Sequence, residues 1–237
     1  MHHKSSPVEG IQLSARPKNR MPETVINRCR IVLAVPPNDA APGQLAGAFA
    51  AGDVASAIAL RGDMDGPRYQ AHLEALVAAG SGHDAAILAV DDSQAMGRTA
   101  ADGMLTGGDP KALKDIVARF SPKRIIGYGP VKSRHQAMEA AEAEPNFLFV
   151  GRLDGDIRPD PHPKNLGLGE WCAEVMQLPV LVMAGSALES ALDVARTGVD
   201  FAVLGLAVFS HTGGAAEAVR RINAALDEHA PRFEDEE

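Results

Sequence analysis

Pro179-Val180-Leu181-Val182-Met183-Ala184-Gly185-Ser186 and Phe201-Ala202-Val203-Leu204-Gly205-Leu206-Ala207-Val208 decide how the rest of this chain is read. Each is a short apolar run that meets a glycine, the pattern of a buried strand turning into a helix. Ser186 stands three residues before Glu189. That is a capping-box spacing, and it predicts a helix over 187–197. A turn of small residues between a strand and a helix leaves backbone N–H groups free, and such groups bind anions. Gly185, Ser186, Gly205 and Leu206 are therefore candidate phosphate-binding residues. Small residues also serve simply to let a chain turn tightly, and both readings stand at this point.

The same alternation runs back through the chain. Strands are expected over 30–35, 56–61, 85–90, 103–106, 124–128 and 146–151. Helices are expected over 42–51, from the 62–67 loop to 79, and over 94–100, 111–120, 133–143 and 166–176. A last helix over 215–228 completes eight β–α units. Most strands are continuous apolar runs rather than alternating ones, as parallel strands buried on both faces are. Eight such units in 237 residues predict an α/β fold, the closed (β/α)8 TIM barrel with outer helices. An open doubly wound sheet is the competing architecture. The first strand–helix turn lacks Gly-x-Gly-x-x-Gly, which argues against a dinucleotide site. The barrel is expected over 30–230, preceded by a flexible extension over 1–29 and followed by an acidic tail over 231–237.

Composition narrows the function classes. A net charge of −8 argues against sequence-independent binding to nucleic acid or an anionic membrane, and leaves room for a local basic pocket. Cys29 and Cys172 are far apart and lack metal-site spacing, as expected of a reduced, cytoplasmic protein. Residues 1–30 carry no apolar segment of the signal-peptide kind, and no apolar run is long enough to span a bilayer. The expected partners are phosphorylated small molecules, and the homodimer is the assembly to test.

In a barrel of this kind the reactive groups lie at the C-terminal strand ends. Arg61 and Asp63 follow the second strand, Asp91 and Asp92 the third, and Asp109 the fourth. Lys132, Ser133, Arg134 and His135 follow the fifth, and Arg152, Asp154, Asp156, Arg158, His162 and Lys164 the sixth. Asp91 (or Asp92) with Asp109 could hold Mg2+, which takes oxygen ligands. Asp92 could equally cap the third helix, and Asp109 before Pro110 has the form of an N-cap followed by proline at the first helical position. Arg61, ending an apolar strand, suits a phosphate, or else an internal ion pair with Asp91. His135, in the first turn of a helix, has the bland reading of a solvated surface residue. The long 152–164 loop could act as a lid or be a plain insertion.

Read through Ala100-Ala101-Asp102-Gly103-Met104-Leu105, Lys123-Arg124-Ile125-Ile126-Gly127 and the two terminal turns, the chain resembles the thiamine-phosphate synthase family over about residues 30–210. The resemblance implies a TIM barrel that joins a pyrimidine pyrophosphate to a thiazole phosphate with Mg2+. It implies that Asp91 and Asp109 hold the metal and that Arg61, Arg152 and Lys164 face pyrophosphate. The acceptor's phosphate would lie on Gly185, Ser186, Gly205 and Leu206. The chain departs from the family where Gln-x-Arg-x-Lys becomes Ala59-Leu60-Arg61-Gly62-Asp63, placing an anion where a cation is expected. The family's Thr-x-Thr-Lys after strand six is absent. Two alternatives therefore accompany the transferase. One is an isomerase like the related thiazole tautomerase, which uses a histidine after strand five, where Lys132 and His135 fall here. The other is a barrel that binds phosphate without catalysis.

Overall fold

The computed structural model describes residues 26–233. Most of the expected N-terminal extension, residues 1–25, and residues 234–237 of the acidic tail lie outside them. The strands are β1 (Arg30–Val35), β2 (Ser56–Ala59), β3 (Ala86–Val90), β4 (Gly103–Thr106), β5 (Ile125–Val131), β6 (Phe147–Val150), β7 (Val180–Met183) and β8 (Phe201–Leu204). Between and after them run α1 (Ala41–Ala51), α2 (Gly66–Gly80), α3 (Ser93–Thr99), α4 (Pro110–Phe120) and α5 (Arg134–Ala141). The last helices are α6 (Pro163–Val175), α7 (Ser190–Ala195), α8 (Leu206–Phe209) and α9 (Ala215–His229). Neighbouring strands pair in parallel all the way round. β1 closes on β8 through Arg30↔Phe201 to Leu33↔Leu204, so the sheet is the expected closed eight-stranded barrel and not an open one.

Side chains alternate across the barrel wall. In β1, Ile31, Leu33 and Val35 pack outward beneath the helices, while Val32 and Ala34 point to the axis. The inner core is uneven in size. β6 and β8 supply Phe147, Phe149 and Phe201. β5 answers with glycines: a Cβ on Gly127 would overlap the Phe147 ring, and one on Gly129 would stand 2.6 Å from the Phe149 carbonyl oxygen. The aromatic rings of one strand thus fill space that its neighbour leaves empty.

Local signals explain most helix starts. Asp65, Asp92, Asp109 and Ser133 each accept a backbone N–H of the first turn, at α2, α3, α4 and α5. α6 begins earlier than the expected 166, because the His162 ring caps Lys164 N and Pro163 takes the first helical position. The Ser186–Glu189 capping box does not form. α7 starts only at Ser190, because Ser186 N–H and Ala187 N–H donate instead to the carbonyls of Arg158 and Pro159 at 2.7 and 3.2 Å. β5 runs past Tyr128 to Val131 through a shift in register. β2 stops at Ala59 and leaves Arg61 in the loop beyond it.

The barrel base is tied by Arg28, which is 2% exposed. Its guanidinium donates to Asp227 Oδ1 at 2.8 Å, to Asn223 Oδ1 at 2.9 Å and to the Cys29 carbonyl at 2.8 Å, and Arg28 bridges Arg232 in antiparallel fashion. Arg28 and Cys29, which the sequence reading places in the extension, are therefore built into the base. Burial pushes the Cys29 thiol up to about 12.

Two outcomes are expected. Gly127→Ala should lower stability by about 1–3 kcal/mol in denaturant unfolding, because the new methyl group meets a fully buried ring. His72 is buried in α2 with its Nε2 unpaired among the described residues, and burial lowers its pKa. The folded state thus binds fewer protons than the unfolded one below the ordinary imidazole value of about 6.5. The stability this gives is complete above that value and declines as pH falls through it. His72→Leu should make the melting temperature fall less between pH 7.5 and 5.5 than in the wild type.

Candidate active site at the barrel mouth

A closed parallel barrel uses its sheet hydrogen bonds between strands, so polar groups gather where the strands end. Three of these ends, those of β2, β3 and β4, are knitted together. Arg61 donates through Nη1 to Asp92 Oδ2 at 3.3 Å and through Nε to the Met64 carbonyl at 3.2 Å, and its guanidinium carbon lies 5.5 Å from the centre of the Tyr69 ring. The ion pair is with Asp92, not with Asp91. Asp92 also caps α3 through Oδ1, so one carboxylate fixes both the helix and the arginine. Asp91, exposed and at φ 48°, turns away from that pair, and its Oδ1 accepts from Gly107 N–H at 2.8 Å in the β4–α4 loop. That loop carries Asp109, which is exposed and whose Oδ1 caps Lys111 N–H at 3.0 Å.

Two tyrosines that the sequence reading passed over hold this arrangement. The Tyr69 hydroxyl donates to the Ala59 carbonyl at 3.0 Å and accepts from Val90 N–H at 2.8 Å, joining the ends of β2 and β3 beneath Arg61. It is fully buried, and burial pushes its pKa up to about 12. The Tyr128 hydroxyl donates to the Gly108 carbonyl at 2.6 Å and accepts from Gln136 Nε2 at 3.0 Å, fixing the loop before Asp109. A tyrosine within a helix, as Tyr69 is, or within a strand, as Tyr128 is, reads from sequence as core packing, and nothing local distinguishes it from one with a positioning task.

The remaining candidates are dispersed. Lys132 is exposed, and its backbone N–H donates to Gln136 Oε1. His135 is 84% exposed and faces Glu139 along α5 at 3.5 Å. No contact among the described residues brings either to Arg61, Asp91 or Asp109. Arg152 is paired with Asp154 at 3.0 Å in solvent, and the hydrogen bonds from Arg152 hold the Asp154 carboxyl below its ordinary value. Lys164 lies exposed in the first turn of α6.

The β7 and β8 turns are adjacent, as their register requires, and the N–H groups of Ser186, Gly205 and Leu206 are all taken by the β6–α6 loop. Asp156, 3% exposed, reaches from the β6–α6 loop and accepts on Oδ2 from Gly205 N–H at 3.1 Å and from Leu206 N–H. Gly185 lies so close beneath Pro159 that a Cβ would overlap the proline carbonyl. No sequence pattern marks Asp156 among the loop's acidic residues, since the contact spans 49 positions.

The donor set suits Mg2+ in its usual protein setting, one or two carboxylates completed by substrate phosphates and water. Asp91 and Asp109 each spend one oxygen on a backbone N–H, and the second takes no donor among the described residues. Those residues contain no group of three or more His, Cys, Asp or Glu side chains placed to enclose a metal by themselves. No helix among them is long and apolar enough to cross a membrane.

A family model described as thiamine monophosphate synthase matches residues 32–208. A thiamine-phosphate synthase from Hyphomonas neptunium is 30% identical over 214 residues, covering 84% of this chain and 95% of the relative. Another from Rhodospirillum centenum is 26% identical over 205 residues, covering 84% and 98%. Among solved structures, thiamine phosphate pyrophosphorylase from Pyrococcus furiosus superposes with a TM-score of 0.69 at 19% identity, over 85% of this chain and 97% of that one. A 3-hexulose-6-phosphate synthase gives 0.63 at 20% identity, over 83% and 99%. These two structural likenesses speak to the fold alone.

Tyr69→Phe should destabilise the protein by about 1–3 kcal/mol, because it leaves the Val90 N–H without its partner. Urea unfolding measures the loss, and an unchanged midpoint would remove the role assigned to this hydroxyl.

Proposed function

Because the chain belongs to the thiamine monophosphate synthase family, we propose that it is the transferase of thiamine biosynthesis that joins a pyrimidine pyrophosphate to a thiazole phosphate. The observation that carries this reading is the match over 32–208, which takes in the C-terminal end of every strand from β1 to β8. The bond from the pyrimidine's methylene carbon to the pyrophosphate oxygen breaks in a dissociative displacement, and the carbocation-like pyrimidine is captured by the lone pair of the thiazole nitrogen. Pyrophosphate leaves with the electron pair. Such a step needs little covalent help from the protein and much electrostatic help for a departing polyanion.

The chain's own groups divide that work. Arg61 is held through Nε by the Met64 carbonyl, through Nη1 by Asp92 and across one face by Tyr69, and its Nη2 has no protein acceptor among the described residues. That nitrogen is the donor for pyrophosphate. Arg152 and Lys164, on the β6–α6 loop and the start of α6, supply further positive charge, Arg152 after parting from Asp154. Gly185, Ser186, Gly205 and Leu206 receive the phosphate of the acceptor. Asp91 and Asp109 would hold Mg2+, which when bound would neutralise charge on the pyrophosphate. The acid–base role that an isomerase would ask of Lys132 or His135 has no contact with Arg61, Asp91 or Asp109 among the described residues to support it. The location we propose is the cytoplasm, with phosphorylated small molecules as substrates.

The N–H groups of the β7 and β8 turns, already taken by the β6–α6 loop, favour one second reading, a barrel that does not turn over. The test is an assay with the pyrimidine pyrophosphate, the thiazole phosphate and Mg2+, following thiamine phosphate by fluorescence after oxidation. Mg2+-dependent product is expected, with Arg61→Ala and Asp91→Ala each reducing the rate by roughly 10²-fold or more. A folded wild-type protein that yields no product above buffer would leave the non-catalytic reading in its place.

A further inference from the structure

The β6–α6 loop and the two turns beneath it are joined by a contact that no requirement of the barrel explains. Between residues 152 and 160, Asp156 alone is buried. Its neighbour Ile157 is 76% exposed, and Arg158, Pro159 and Asp160 are exposed as well. Leu153, near the start of the loop, packs against the inner core, but the loop's centre is not laid down by apolar packing. It is held by hydrogen bonds to four backbone N–H groups: Gly205 and Leu206 on Asp156 Oδ2, Ser186 on the Arg158 carbonyl, and Ala187 on the Pro159 carbonyl. Among the described residues no lysine or arginine pairs with the buried carboxylate. Burial raises its pKa, opposed by the N–H bonds from Leu206 and Gly205.

We propose that Asp156 is an intramolecular competitor for the phosphate of the acceptor substrate: it pins the β6–α6 loop across the β7 and β8 turns, and a phosphate monoester gains those turns by displacing it. Identifying the monoester as the thiazole phosphate rests on the transferase reading. The chemistry of exchange is direct. One carboxylate oxygen and two carbonyls now serve donors on two adjacent turns. A phosphate dianion offers three acceptor oxygens on one atom, and it brings the charge that backbone N–H groups favour. The apparent affinity for phosphate is then its intrinsic affinity reduced by the fraction of molecules with the loop displaced. Asp156 thus sets how readily the acceptor enters without touching the reacting atoms.

The probe is inorganic phosphate, titrated into 15N-labelled wild type, Asp156→Ala and Asp156→Asn, each checked for an intact melting transition. Asp156→Ala should bind phosphate about tenfold tighter than wild type, as expected if the loop is displaced in about a tenth of wild-type molecules. Shifts should fall on the Gly205, Leu206 and Ser186 amides. Asp156→Asn, which keeps an acceptor oxygen and loses the charge, should fall between, and it carries the test should the alanine variant not fold. In wild type, saturating phosphate should speed tryptic cleavage at the Arg152–Leu153 bond toward the rate of Asp156→Ala. Equal affinities in all three proteins would overturn the proposal. So would phosphate shifts at those amides with the loop as resistant to trypsin as before. Turnover is measured separately. A loop that yields to phosphate in a protein without turnover would sink the transferase reading and leave the pin. Turnover with phosphate affinity indifferent to residue 156 would sink the pin alone.

Discussion

Closure of the sheet between β1 and β8 is the constraint from which the rest follows. With no edge strand, the barrel wall leaves few backbone donors and acceptors free, and the exceptions collect at the strand ends. Closure also fixes the interior volume, so inner residues must share it. Phe147 and Phe149 are admitted because Gly127 and Gly129 stand beside them on β5. The wall is rigid for the same reason, and a rigid wall lets loops of very different character hold groups in defined places above it.

At the mouth the chain has already partnered much of its charge. Asp92 holds Arg61, Asp154 holds Arg152, and Asp156 rests on backbone N–H groups. These attachments differ in firmness. The Arg61–Asp92 pair is backed by a buried tyrosine and a helix cap. The Arg152–Asp154 pair is largely in solvent, where such a pair is worth little. A phosphorylated ligand would find one cation in place and others ready to exchange partners. The division runs along the barrel: the β2–β4 side is fixed by side chains anchored to helices, and the β6–β8 side by a loop hydrogen-bonded across neighbouring turns.

The fold was largely legible because its signals are local. Eight apolar runs, Asp109-Pro110 at a helix start and glycines at strand ends each act within a few residues, and each appears where the pattern put it. The failures share a cause as well. Ser186 and Glu189 have the right spacing for a capping box, but the N–H groups of Ser186 and Ala187 are claimed by the carbonyls of Arg158 and Pro159, far earlier in the chain. Arg28 reads as part of a flexible polar extension until α9 returns to meet it. At the site, the acidic strand ends were visible, while the choice between Asp91 and Asp92 as the partner of Arg61 was not. That choice depends on the left-handed backbone at Asp91, which turns its carboxylate toward Gly107. Asp156 was one acid among several in a loop, and only the folded chain distinguishes it.

The bridge between Arg28 and Arg232 brings the two ends of the described barrel side by side beneath its floor, on the face opposite the strand ends. A short peptide could splice those ends and let the chain be opened in a surface loop elsewhere, since circular permutation needs neighbouring termini and an exposed point of cleavage. Set into a host protein through the same pair of ends, the barrel would keep its mouth turned outward from its carrier.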